Sequence, residues 1–73
     1  MNTQNARLLE YLRAHAGITQ FEAIAELGIL RLASRVSELK KTGHHIYGEM
    51  VKVKNRYGEA VRVKRYFLLR DEE

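Results

Sequence analysis

The chain has 73 residues, of which 13 are Lys or Arg and 9 are Asp or Glu, and its formal net charge is +4. Cysteine is absent, which excludes disulfide staples and thiolate metal sites. No apolar run approaches the roughly 18 residues that span a membrane, and the first residues lack the regions of a secretory signal, so we expect a cytoplasmic protein.

The first element that the sequence predicts is a helix ending near Ala16. Thr3 or Asn5 can cap its start, and Gly17 suits the left-handed position that follows a helix. Spacing of three and four residues places one apolar face toward the interior. The residues expected on this face are Leu8, Leu9, Leu12 and Ala16.

A second, short helix follows Ile18, a lone β-branched residue that we expect to pair briefly with a later strand. Thr19 and Glu22 form a capping box, in which each side chain accepts from the other's backbone amide. Gly28 ends this helix after about two turns. The residues expected to face inward are Phe21, Ile24 and Leu27.

The third helix is predicted over about residues 30–42, with Thr42 and Gly43 at its end. Residues on its apolar face are Ile29, Leu32, Ala33, Val36 and Leu39. Residues on the opposite face are Arg31, Ser34, Arg35, Glu38 and Lys41. No capping side chain precedes Leu30, so the first amides of this helix either lack a partner or form a phosphate site.

Two strands follow, because residues 50–54 and 61–64 alternate valines with cations. Asn55 and Gly58 tolerate positive φ and predict a hairpin loop between these strands. A bulge or a twist near Arg65 would let Tyr66 and Leu68 reach the core. The domain is expected to span residues 1–70, and residues 71–73 form an acidic tail.

The positive charge is concentrated in the second half of the chain. Residues 1–28 carry a net charge of −1, residues 29–45 carry +3, residues 46–70 carry +5 and residues 71–73 carry −3. A basic third helix together with a basic hairpin favours a polyanion as partner, and nucleic acid is the commonest.

Three helices followed by a two-stranded antiparallel β-hairpin, the wing, describe an α+β winged helix-turn-helix. The chain also resembles the small helix-turn-helix domains encoded in phages and prophages. The residues that carry this resemblance are Gln4, Arg7, Leu9, Leu12, 17–19, 22–23, 27–29, 31–36, Leu39, Gly43 and Ile46. Residues 64–68 resemble the closing strand of many winged helices, in which an aromatic residue and a leucine two positions apart return to the core. The resemblance implies DNA binding by a transcriptional regulator, an excisionase-like factor or an accessory protein, in the bacterial or host cytoplasm and associated with the nucleoid.

The predicted partner is double-stranded DNA, with the third helix in the major groove. Arg31 and Arg35 are expected to fork onto guanines, and Ser34 to donate to a phosphate or base edge. Glu38 either accepts from cytosine or orients an arginine, and Lys41 binds phosphate.

The wing is expected to follow the DNA backbone or reach the minor groove. The residues assigned to it are Lys52, Lys54, Asn55, Arg56, Arg62 and Lys64. Tyr57 either stacks on a sugar or covers the hairpin, and we favour the second interpretation.

Other functions stay open at this point. A protein-interaction module or an RNA-binding domain would share the fold, and a homodimer or tandem binding on DNA is compatible with the small size. We expect no enzyme, cofactor, membrane contact or small-molecule substrate, because no catalytic pair or phosphate-cradling loop is present. The adjacent His44 and His45 do not predict a metal site.

Overall fold

The computed structural model describes residues 3–69, so the predicted acidic tail and both ends of the predicted domain lie outside the described part. In chain order the elements are α1, β1, α2, α3, β2 and β3. α2 begins as an α-helical turn, Gln20–Glu22, and continues as a π-helical turn, Ala23–Leu27. The bounds of the other elements are Thr3–Ala14 for α1, Ile18–Thr19 for β1, Leu32–Lys41 for α3, Ile46–Lys54 for β2 and Ala60–Leu68 for β3.

The core lies between the three helices and the base of the sheet. Its buried members are Leu8, Leu9, Leu12, Ile18, Ala23, Ile29, Leu32, Val36, Leu39 and Ile46. Two predicted members, Ala16 and Ala33, are exposed instead. α1 ends two residues earlier than Ala16 because the chain turns there to bring Ile18 into the sheet.

The capping box of α2 is confirmed, since the Thr19 hydroxyl accepts from the Glu22 amide and the Glu22 carboxylate accepts from the Thr19 amide. Of the predicted inward face of this helix, Leu27 packs against the core, but the prediction is wrong for Phe21 and Ile24. Phe21 is 77% exposed and Ile24 is 46% exposed, whereas Ala23 is completely buried. In a π-helical turn each hydrogen bond spans five residues instead of four. Residues three apart in the sequence therefore no longer lie on the same face of the helix.

α3 starts at Leu32, two residues later than predicted, because the side chain of Gln20 fixes the preceding turn. Gln20 Oε1 accepts from the Leu32 amide at 3.2 Å, and Gln20 Nε2 donates to the Ile29 carbonyl at 3.0 Å. The Leu32 amide therefore has a side-chain partner that the local sequence does not reveal. At its other end α3 stops at Thr42 and Gly43, as predicted.

The sheet has three antiparallel strands in the order β1-β3-β2, one more than the predicted hairpin. Ile18 pairs with Tyr66, which confirms the brief pairing expected of this residue. The β2–β3 register runs without interruption from Ile46 opposite Leu68 to Lys54 opposite Ala60, so the bulge expected near Arg65 is not formed.

Side chains alternate between the two faces of the sheet along the whole wing, so no bulge is needed. Ile46 and Leu68 lie on one face of the sheet and touch the core, and the same face carries Lys52 and Arg62 further along. Because the strands extend beyond the helices, the side that is buried at the base becomes a solvated, basic side toward the tip. The partly buried Val51, Val53, Val61 and Val63 occupy the opposite face.

Gly17, which follows α1, lies close against β3 of the sheet. Its φ is +111°, and a Cβ built there would lie 2.8 Å from Phe67 Cε1 and 3.0 Å from Arg65 Cγ. Phe67 has little room to move, because its ring stacks on Tyr47 with the centroids 5.2 Å apart. A side chain at position 17 is therefore opposed by both backbone conformation and space.

We expect Gly17→Ala to lower the free energy of unfolding by about 3 kcal/mol, through backbone strain and overpacking together. Gly43→Ala is the matched control, because Gly43 has a φ of +101° with nothing within 4 Å of an added Cβ. We expect the control to lose only about 1 kcal/mol. Urea unfolding followed by circular dichroism measures both values, and equal losses would contradict a role for the Phe67 contact.

Candidate nucleic-acid interface

The outer face of α3 is polar and consists of small and cationic side chains. Its exposed residues are Arg31 at the N-cap, Ala33, Ser37, Lys40 and Lys41, with Ser34 half-buried beside them. Sequence reasoning missed Ser37 and treated Lys40 as a partner of the last carbonyls. Helical spacing could have found Ser37, since it lies three residues after Ser34 and four before Lys41.

Arg35 does not lie on this outer face, which corrects the predicted placement. Its side chain is 19% exposed, and its Nη2 donates to Glu38 Oε2 at 3.1 Å. Glu38 Oε1 in turn accepts from Nδ2 of the buried Asn5 on α1 at 2.9 Å. Arg35 is three residues after Leu32 and four before Leu39, so it flanks the core stripe and turns toward α1. Two roles were considered for Glu38, and the hydrogen bond from Arg35 corresponds to the second, in which Glu38 orients an arginine.

The wing carries its cations on one exposed face. Lys52 lies directly opposite Arg62 across the two strands, and like charges in that position destabilise a sheet. An anion that contacts both side chains relieves this repulsion. Nearer the base, Lys64 extends over Gly48, where a Cβ would lie 2.5 Å from Lys64 Cε, and its Nζ is 5.5 Å from the centre of the Tyr66 ring.

Asn55 organises the tip of the wing from within. Its Oδ1 accepts from the amides of Tyr57 and Glu59, and its Nδ2 donates to Glu59 Oε1. Gly58 adopts positive φ as predicted, whereas Asn55 does not. Arg56 and Tyr57 consequently project outward, and Tyr57 is 79% exposed. The interpretation that Tyr57 covers the hairpin is therefore wrong.

The wing and the helix-turn-helix border a common cleft of about 690 Å³. Ala33, at the start of α3, lies on one side of it, and Lys54, Arg56 and Lys64 of the wing lie on the other. The start of α3 and the wing thus face one cleft, but the residue of α3 that the cleft exposes is the uncharged Ala33, and Arg31 is not among the residues that line it. The predicted convergence of cations from both segments stays a prediction. Arg35 lies on a different flank, against α1.

Two carboxylates of α2 act on the Tyr11 phenol of α1. Burial raises the pKa of the Tyr11 phenol, and the carboxylates of Glu22 and Glu26 raise it further. Glu22 Oε2 also binds Arg65 Nη2 at 3.3 Å. Arg65 is therefore engaged within the protein, in contrast to the exposed cations of the wing.

Other kinds of site find no support in the part of the chain that is described. Among residues 3–69, no three His, Asp or Glu side chains are grouped so that they could hold a metal ion. Over the same residues, no helix has the length and apolar character needed to cross a membrane.

Three helices with a tight turn between α2 and α3, followed by a long basic hairpin, define a helix-turn-helix body with a wing. A family model described as a winged helix-turn-helix domain matches residues 3–71, and the chain belongs to this family. Membership supports DNA as the partner in general terms, and the family is typically non-enzymatic. The curated proteins compared with the chain include no match. The solved structures include none either.

The Asn5–Glu38–Arg35 network predicts a measurable contribution to stability. We expect Glu38→Ala to lower the free energy of unfolding by about 1–2 kcal/mol, because Asn5 Nδ2 loses its partner in a buried position. Glu10→Ala removes a carboxylate from an exposed position of α1 and should stay within about 0.5 kcal/mol of the parent. Urea titrations of both variants test this, and indistinguishable midpoints would argue against the network.

Proposed function

We propose that this domain binds double-stranded DNA with α3 in the major groove and the wing along the backbone. The observation that carries the proposal is the shared cleft, which Ala33 of α3 and Lys54, Arg56 and Lys64 of the wing border together. A ligand that contacts both elements must be extended and negatively charged, and duplex DNA has these properties. The family match supports DNA binding independently.

The outer face of α3 suits close approach to base edges. An α-helix is about 10–12 Å across with its side chains, and a major groove about 12 Å wide admits it. Ala33 and Ser37 are small enough to let the helix backbone come near the bases. Ser34 and Arg31 supply hydrogen bonds. The cations at the end of the helix, Lys40 and Lys41, bind phosphates.

Arg35 and Glu38 have a different role in this proposal from the one the sequence suggested. The bond between Arg35 and Glu38, together with that from Asn5, holds α3 at a fixed angle to α1. We therefore assign both side chains to positioning the helix. Base reading by Arg35 would require it to leave Glu38.

The wing cations are assigned to phosphates, which give affinity without sequence information. They are Lys52, Lys54, Arg56, Arg62 and Lys64. Asn55 acts through the shape of the tip, because its amide group is already bonded to the loop.

In the cell we propose a bacterial or phage-encoded transcriptional regulator or excisionase-like accessory factor, acting in the cytoplasm at the nucleoid. One domain of this size covers only a short site, so a homodimer or tandem copies on DNA would extend the footprint. Sedimentation with and without duplex DNA tests that assembly.

RNA binding and protein binding are the competing functions. Competition between duplex DNA and duplex RNA for the protein separates the first from DNA binding. A chain that shifts neither nucleic acid in a gel, at low salt, would favour a protein-interaction module.

We expect Arg56→Ala to weaken binding to all DNA duplexes alike and to reduce the slope of log K against log salt by about 0.9, because one phosphate contact is lost. Arg7→Ala is the charge-matched control, since Arg7 lies on the exposed face of α1. Fluorescence anisotropy between 50 and 200 mM salt, roughly the range over which phosphate contacts are most visible, gives both slopes. An unchanged slope for Arg56→Ala would remove the wing tip from the interface.

Arg31→Ala should instead act on sequence preference. We expect a loss of about 1–3 kcal/mol on the preferred site and a relaxed choice at one base pair. The preferred site is first obtained by selection from a random duplex pool. Arg31→Lys retains the positive charge but lacks the two parallel N–H donors of the guanidinium. It should therefore keep the general affinity for DNA and lose the preference for one base pair. A uniform loss on every sequence would make Arg31 a phosphate contact.

A further inference from the structure

Phe21 is a large apolar side chain that the core does not use. It follows the N-cap of α2, is 77% exposed, and lines the cleft between the helix-turn-helix and the wing. Leu30 is almost equally exposed at 74%, but it is not part of the cleft lining. Phe21 therefore contributes an aromatic surface to the cleft, which distinguishes it from the other exposed apolar residues of the helix-turn-helix.

The walls of this cleft combine apolar and cationic groups. Phe21 and Ala33 supply apolar surface on the helical side, and Val53, Val61 and Val63 supply it on the wing. The charged residues that border the same cleft are Lys54 and Lys64, from the face of the strands opposite the valines, Arg56 at the tip, and the ion-paired Glu22 and Arg65. An occupant that fits must carry apolar groups and negative charges at short intervals.

The size of the cleft limits how much of such an occupant it can hold. Its volume of about 690 Å³ lies within the roughly 300–1,000 Å³ of sites that hold ligands of a few hundred daltons. A short segment of a single strand fits this volume, whereas a whole duplex does not. The sugar–phosphate backbone of one strand has the required alternation, because each sugar is flanked by phosphates.

We propose that the cleft seats the sugar–phosphate backbone of one DNA strand, with Phe21 packed on a deoxyribose and Lys54, Arg56 and Lys64 on the neighbouring phosphates. This assignment rests on the proposed DNA-binding function and adds a non-ionic contact to it. α3 and the wing then contact the duplex on either side of a strand held between them.

The apolar walls also give the cleft a preference between sugars. A ribose 2′-hydroxyl set against the Phe21 ring and the valines loses its water and gains no hydrogen-bond partner, which is unfavourable. A deoxyribose has no such group, and the 2′-hydroxyl is the feature by which proteins distinguish RNA from DNA. The strand in the cleft is therefore DNA in preference to RNA.

The first test compares Phe21→Ala with Leu30→Ala on one DNA duplex. We expect Phe21→Ala to bind about tenfold more weakly with an unchanged salt slope, because an apolar contact releases no counterions. Leu30→Ala should bind within about twofold of the parent, since substitutions of exposed residues outside the cleft have small effects. Both side chains are exposed, and thermal melts verify that each variant is folded. Equal losses in the two variants, or no loss in Phe21→Ala, would overturn the proposal.

The second test measures the affinity ratio between a DNA duplex and an RNA duplex of the same sequence, because both strands of the RNA duplex carry the 2′-hydroxyl. Phe21→Ser replaces the ring with a group that can bond a hydroxyl, so this ratio should fall about tenfold relative to the parent. The difference in helix form affects both proteins equally and cancels in the comparison. An unchanged ratio would refute the sugar contact.

The two proposals fail in distinguishable ways. A parent protein that binds no DNA duplex overturns both the function and the cleft assignment. A parent that binds duplex DNA with a salt slope lowered by Arg56→Ala, while Phe21→Ala and Phe21→Ser behave like the parent, overturns only the cleft. Displacement of DNA by an acidic aromatic peptide that depends on Phe21 would reassign the cleft to a protein segment.

Discussion

The pairing of Ile18 and Thr19 with β3 is the constraint on which the arrangement of this domain depends. Ile18 is completely buried opposite Tyr66, and Thr19 opposite Arg65 is also the cap of α2. Two residues thus join the helical body to the hairpin and set where α2 begins. Without this pairing, β3 would be held to the helical body by side-chain contacts such as the Arg65–Glu22 ion pair, and the backbone pairing that keeps the wing beside α2 would be lost.

Much of the fold follows from local signals in the sequence. The apolar spacing of Leu8, Leu9 and Leu12 defines the inner face of α1, and the Thr19–Glu22 pair marks the start of α2. Alternating valines and cations identify the wing. Each of these signals depends on neighbours within one turn or one strand, so the sequence contains the whole interaction.

The candidate site was harder to predict because its features arise from contacts between distant segments. Arg35 has the spacing of an outer residue, but Asn5, 33 residues away from Glu38, draws the Arg35–Glu38 pair toward α1. The spacing of Phe21 predicts an inner position, but a π-helical turn follows it and Ala23 is buried instead. The cleft itself exists only once the hairpin is packed, so no linear pattern describes it.

The bonds of the Asn55 amide have an energetic consequence for any ligand of the wing. Because they order the loop during folding, the conformational entropy of the tip is lost before a ligand arrives. A flexible tip of the same charge would lose conformational entropy on binding, and this loss would weaken the affinity. Rigidity of this kind favours slow release, since a pre-shaped surface gains little disorder when its ligand departs.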